Sequence, residues 1–353
     1  MAEAIVPATP GFSLVGRLYG ALPWAPGWVG VLIATALYGS FLAVELALGR
    51  EPLRFDRELL EESGEALITL LLCVLLAYLC TATLSAARAG PQAIARLLPL
   101  LGLSDQAAQQ ILVEASERPK LAMRIAGALG LLVGLGAPLL EPNMQFHPYD
   151  VNNWTPESAW HRFLGPAVGF WSLRLVAVML IDSGRNSKLA AQIPSIDLLD
   201  LEPLANFARL GLSNALRVVW IAALFSPFAL DLGNYAALLG AIAIVTAGSA
   251  TTVLVLPVRG IHRRIRQAKH DELARVNRAI RGDAGALAAS AIGERGEPAS
   301  LADLIAYRGL VESAREWPFD ASTVKRFGLY LLIPLGSWSG GALVERLIDA
   351  LLD

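Results

Sequence analysis

Apolar residues along this chain of 353 residues gather into long runs and do not alternate with polar ones. Seven runs stand out, at 28–48, 65–87, 121–140, 163–182, 207–230, 234–258 and 326–344. Each is close to the roughly 20 residues that carry an α-helix across a hydrocarbon layer of about 30 Å. The breaks between them carry turn chemistry: Gly49-Arg50-Glu51-Pro52, Glu141-Pro142-Asn143, Asp182-Ser183-Gly184 and Asp231-Leu232-Gly233-Asn234. The last break is so short that the fifth and sixth helices must form an antiparallel hairpin. The pattern predicts an all-α, polytopic integral membrane bundle of about seven spans.

Two further stretches are weaker. Residues 91–116 place Ile94, Leu97, Leu98, Leu101, Ile111 and Leu112 among Arg96, Asp105, Gln109 and Gln110. That mixture suits an interfacial or protein-packed amphipathic helix better than a span. Residues 185–205 read the same way, with Pro194 and Pro203 interrupting any long helix.

One hydrophilic stretch, 259–325, separates the last two runs. From Arg259 to Arg281 it sets Ile261, Ile265, Ala268, Val276 and Ile280 on one helical stripe, with Asp271 and Arg275 at an i,i+4 spacing. A Gly/Ala-rich linker follows from Gly282 to Pro298. A second helix then opens with the capping pattern Ser300-Leu301-Ala302-Asp303 and ends before Trp317-Pro318; Asp320 can cap the helix that follows. The expected organisation is a bundle over 1–258, a cytoplasmic helical hairpin over 259–325, continuous or nearly so with the sixth span, and a last transmembrane helix with a short extracytoplasmic tail over 326–353.

Composition agrees with a membrane chain: 55% hydrophobic, 17% charged, with mean hydropathy +0.51. Soluble domains carry about a quarter charged residues. A net charge of −2 gives no global reason to expect nucleic acid. Nor does the N-terminus have the charged opening of a cleavable signal, and Pro7, Pro10, Pro23 and Pro26 precede the first run. Of 29 Lys and Arg, 21 fall on the N-terminal side of an odd-numbered bundle, 5 on the other side, and Arg124, Arg174 and Arg217 within spans. The excess predicts a cytoplasmic N-terminus and an extracytoplasmic C-terminus in a bacterial-type plasma (inner) membrane. The three Arg of the 49–63 loop run against it. Cys73 and Cys80 are about 10.5 Å apart along one helix, too far to bridge.

Candidate chemistry is sparse. The chain has no phosphate-binding loop, dinucleotide fingerprint, His-Glu-x-x-His or Cys-x-x-Cys, so no enzyme activity, cofactor or metal is expected. The loop Asn143–Arg162 gathers His147, Asp150, Glu157 and His161 with Tyr149, Trp154 and Trp160. Its spacing matches no metal site, and aromatic residues at a membrane boundary suffice to explain it. Arg174 and Arg217 are costly within a span and require protein or water around them. Asp182, Glu45 and Glu65 are the expected partners of Arg174.

Small residues at Gly130 and Gly134, and again at Gly336 and Gly340, have the spacing of close helix packing. Pro334 interrupts the last run and aligns Tyr330, Pro334, Ser337 and Gly341 along one helix stripe. Thr246, Ser249, Thr251 and Thr252 of the sixth span are the natural facing surface. The basic run Arg259–Lys269 is expected to meet anionic lipid.

These features lead to the expectation of a homo-oligomeric channel or pore whose last two spans line the path. The plan is similar, at the level of topology and without a shared motif, to that of insect odorant-receptor channels. A carrier for a small anionic or lipidic substrate, using Arg174 and Arg217, is the first alternative. A membrane scaffold or signalling adaptor using the hairpin is the second.

Overall fold

A computed structural model describes residues 26–49, 64–136, 156–225, 232–293, 300–319, 325–330 and 332. Nine α-helices are defined over most of these residues: α1 (Pro26–Ala47), α2 (Gly64–Leu97), α3 (Asp105–Ser116), α4 (Lys120–Gly136), α5 (Pro156–Ala190), α6 (Ala205–Leu224), α7 (Leu232–Ile280), α8 (Ala284–Ala288) and α9 (Leu301–Ser313). Short 3-10 turns at Leu98–Leu101 and Glu202–Leu204 extend α2 and introduce α6. No strand occurs among the described residues.

Among the described residues, six stretches are long and apolar enough to cross a membrane: Pro26–Ala47, Thr69–Leu101, Asp105–Gly136, Arg162–Ala190, Glu202–Leu224 and Leu239–Ile280. Each overlaps most of one of the first six apolar runs of the sequence. The seventh run, 326–344, lies largely outside the described residues. The amphipathic stretch 91–116 divides between the end of α2, which continues through Pro91, and α3. Ser104 caps α3 by accepting from the Ala107 amide.

Among the described residues, two large cores hold the helices together, and a small cluster of Val29 and Leu84 joins α1 to α2. The first lies within the bundle, where Leu75 and Leu79 of α2 meet Leu175, Val178 and Met179 of α5, Val219 of α6 and Val253 of α7. Between helices in lipid there is no apolar drive, so close approach matters. Glycines permit it: Gly211 of α6 lies against the Leu254 carbonyl of α7, and Gly30 of α1 against the Thr81 hydroxyl of α2.

The second core caps one end of the bundle. There α7 runs on as one helix of 49 residues, about 74 Å long at 1.5 Å per residue. That is more than twice the hydrocarbon thickness of roughly 30 Å. The extension buries Val258, Ile261, Ile265 and Val276 against Leu97, Ile193 and Phe207, and against Tyr307 and Val311 of α9. Full burial of such side chains contributes about 1.5–3 kcal/mol each where water is the alternative.

Candidate functional site

Polar side chains concentrate at this capped end of the bundle, where α2, α5, α6 and the link between α3 and α4 meet. Arg118 lies in that link. Its Nη2 donates to Asp182 Oδ2 at 2.7 Å and to the Ala87 carbonyl at 2.9 Å. The two side chains are only 3% and 6% exposed. Gly90 of α2 makes room for the pair, because a Cβ there would strike the Asp182 carboxylate. One turn along α5, Arg185 donates to the Ala115 carbonyl and the Asn186 amide donates to the Asp182 carbonyl. Arg118 Nε and Nη1, Ser183 Oγ and Asn186 Oδ1 are buried without a hydrogen bond from the protein. Such capacity in a dry interior is costly and marks this as the polar focus of the bundle.

Arg217 reaches the same end from α6. It donates to Asn214 Oδ1 at 2.7 Å and to Ser85 Oγ of α2 at 3.3 Å, while the Tyr78 hydroxyl donates to the Arg217 carbonyl. All these partners are neutral, and the side chain points back toward the start of α6. Arg174 lies deeper in α5, its guanidinium over the rings of Phe170 at 4.9 Å and Trp171 at 5.6 Å. The expected pairing of Arg174 with Asp182 is corrected here: Asp182 is taken by Arg118. The physical reason is reach, since Asp182 is two turns along α5 whereas the α3–α4 link delivers Arg118 directly to it.

Along α7, Thr246 is buried, Ser249 is half-buried, and Thr251 and Thr252 are exposed. The Thr252 hydroxyl donates to its own helix at the Gly248 carbonyl. Gly130 and Gly134 of α4 lie against the backbone of Gly169 and Gly165 of α5. Tyr330 is half-buried. Pro334, Gly336, Ser337, Gly340 and Gly341 lie outside the described residues, as do His147, Tyr149, Asp150 and Trp154. Among the described residues no group of three metal-ligating side chains occurs.

The basic run divides into two sets. Arg264 donates to the carbonyls of Ile193 and Pro194, and Lys269 to those of Glu312 and Ala314. The His262 ring stacks on Trp317 at 3.9 Å. Arg259, Arg263 and Arg266 are exposed. Beyond them, Arg275 pairs with Glu272 at 3.0 Å and not with Asp271 at i,i+4. Glu272 is buried and also accepts from the Tyr307 hydroxyl and the Ala291 amide, so it fixes both α9 and the residues after α8 to the α7 extension.

Sequence reasoning passed over Arg118, Glu272 and the Gly165/Gly169 pair. The glycines were legible as a second small-x-x-x-small spacing. Arg118, between Glu117 and Pro119, carried no such signal. Comparison of the chain with described protein families, with curated proteins and with solved structures finds no match.

Proposed function

We propose that the protein is a homo-oligomeric channel of a bacterial-type inner membrane, in which α7 lies on the path and the apolar segment 326–344 completes it. The supporting observation is the contrast between uncovered helix faces. The exposed face of α4 carries Leu121, Ile125, Leu129, Leu132 and Val133, and such a face suits lipid. That of α1 is mixed, with Thr35, Gly39 and Ser40 exposed beside Trp28, Val31, Leu32 and Val44. Beside Ile244 and Val245, the uncovered face of α7 carries Gly240, Ala247, Gly248, Thr251 and Thr252. No atom lies within 4 Å of a Cβ built at Gly240 or Gly248. Small and hydroxyl residues suit contact with another helix or with water.

Exposed Arg96, Lys120, Lys188, Arg209, Arg259, Arg263 and Arg266 collect at the capped end, and a cytoplasmic cap and N-terminus follow from the positive-inside rule. The 259–325 stretch then acts as a cytoplasmic helical hairpin that holds subunits in register. A single-channel recording of the purified chain in planar bilayers tests the reading. Discrete conductance steps that change in size with Thr251→Trp support it. A silent bilayer with correctly inserted protein refutes it.

A second reading draws on α9. Leu301, Ile305 and Leu310 are each more than half exposed on a helix outside the candidate spans, and exposed apolar groups on a water-facing helix invite a partner. In that reading the chain is an adaptor, and a channel recording stays silent while α9 captures a protein.

A further inference from the structure

We propose that Arg259, Arg263 and Arg266 form a docking face for the phosphate headgroups of anionic lipids, separate from the other cations of the same basic run. The three sit at positions i, i+4 and i+7 of α7 and share one helix face. All are exposed, and none has a hydrogen bond or ion pair with a described residue. The opposite face sets the rotation of the helix. Val258, Ile261 and Ile265 are fully buried there, and Gly260 seats on the Ser187 carbonyl of α5 so closely that a Cβ would collide with it.

His262, Arg264 and Lys269 turn toward the protein, held by Trp317, by the carbonyls of Ile193 and Pro194, and by those of Glu312 and Ala314. They satisfy orphan carbonyls and are not available to lipid. What remains is a three-arginine face immediately after the apolar part of α7. It spans about 10.5 Å along the axis, close to the roughly 8 Å over which an anionic leaflet is felt at physiological salt. Exposed Lys188, next to Ser187 on α5, adds a cation at the same level. Arginine suits this role because its planar fork takes phosphate oxygens in pairs. No aromatic residue interleaves the face, which leaves it without the stacking platform of a single-stranded nucleic-acid site.

The test is native mass spectrometry of the full chain in detergent micelles doped with phosphatidylglycerol or with phosphatidylcholine. Each arginine near an anionic surface contributes about fivefold in affinity. The triple variant R259Q/R263Q/R266Q is therefore expected to lose phosphatidylglycerol binding by on the order of a hundredfold, with phosphatidylcholine adducts unchanged. The triple Arg→Lys variant should retain most of the binding. R278Q/R281Q/R308Q, which removes the same charge farther along α7 and on α9 beside Tyr307, should bind as the parent does. If the glutamine triple fails to fold, R263Q alone should still show a loss of about fivefold. Equal phosphatidylglycerol binding by parent and R263Q would overturn the proposal. So would an equal loss in the distal triple, or displacement of the lipid by millimolar inorganic phosphate, which would make the face a site for a soluble anion.

Discussion

The Arg118 guanidinium and the Asp182 carboxylate meet at 2.7 Å, 64 residues apart in sequence and almost without solvent. The pair ties the α3–α4 link to α5 where α2 ends. Removing one half strands the other charge in a dry site, which costs about 3–5 kcal/mol. Asp182→Ala or Arg118→Met alone should therefore lower unfolding stability in detergent by that amount. The double variant should recover most of the loss. Additive losses in the double variant would mean that the two groups do not act as a pair.

Glycine positions within the bundle should respond according to what faces them. Gly169→Val places methyl groups into the backbone of Gly130 and Gly134, and overpacking of this kind costs about 1–3 kcal/mol or more. Gly136→Ala, with nothing within 4 Å, should leave stability unchanged. Thermal unfolding of both variants in the same detergent checks the contrast.

How much of this was legible depended on how local the signal was. The described parts of the first six runs are almost entirely helical because a run of about twenty apolar residues has few other fates in lipid. Ser300 and Asp303 form a complete capping box because both partners lie within one turn. The second core was only half visible. Ile261, Ile265 and Val276 announced themselves by periodicity, but Leu97 and Ile193 sit in interrupted segments, and Phe207 opens an apolar run, so their common partner cannot be read from spacing. Asp271 and Arg275 had an acceptable helix spacing, yet Glu272 faces the α9 side and took the arginine. Arg118 was hidden for the same reason: its partner is distant in sequence, and its own segment reads as a polar loop.

The buried carboxylate of Glu272 should be the hinge of the cap. Tyr307→Phe removes one hydrogen bond of 3.1 Å to it and should cost about 1–2 kcal/mol locally. Hydrogen exchange over 284–313 should speed up while the spans stay protected. Unchanged exchange over α9 would show that the apolar contacts of Tyr307 and Val311 suffice.

The cap should also loosen in acid at one identifiable place. The Ser300 hydroxyl and amide both donate to Asp303 Oδ2, and these bonds hold the Asp303 carboxyl below its usual range. A depressed carboxyl stabilises the fold above its unfolded pKa, and that contribution is lost as pH falls through the folded value. Protection at the start of α9 should therefore decline in acid below about pH 4. Asp303→Asn should flatten that dependence.

The proposed channel requires α7 to present its small-residue face to another copy. The mass of the particle extracted directly into lipid nanodiscs measures this without reference to any ligand. The expected result is a multiple of the 37.6 kDa chain that falls to a single chain in Gly248→Trp, with the variant still folded. A parent particle containing one chain would contradict the channel.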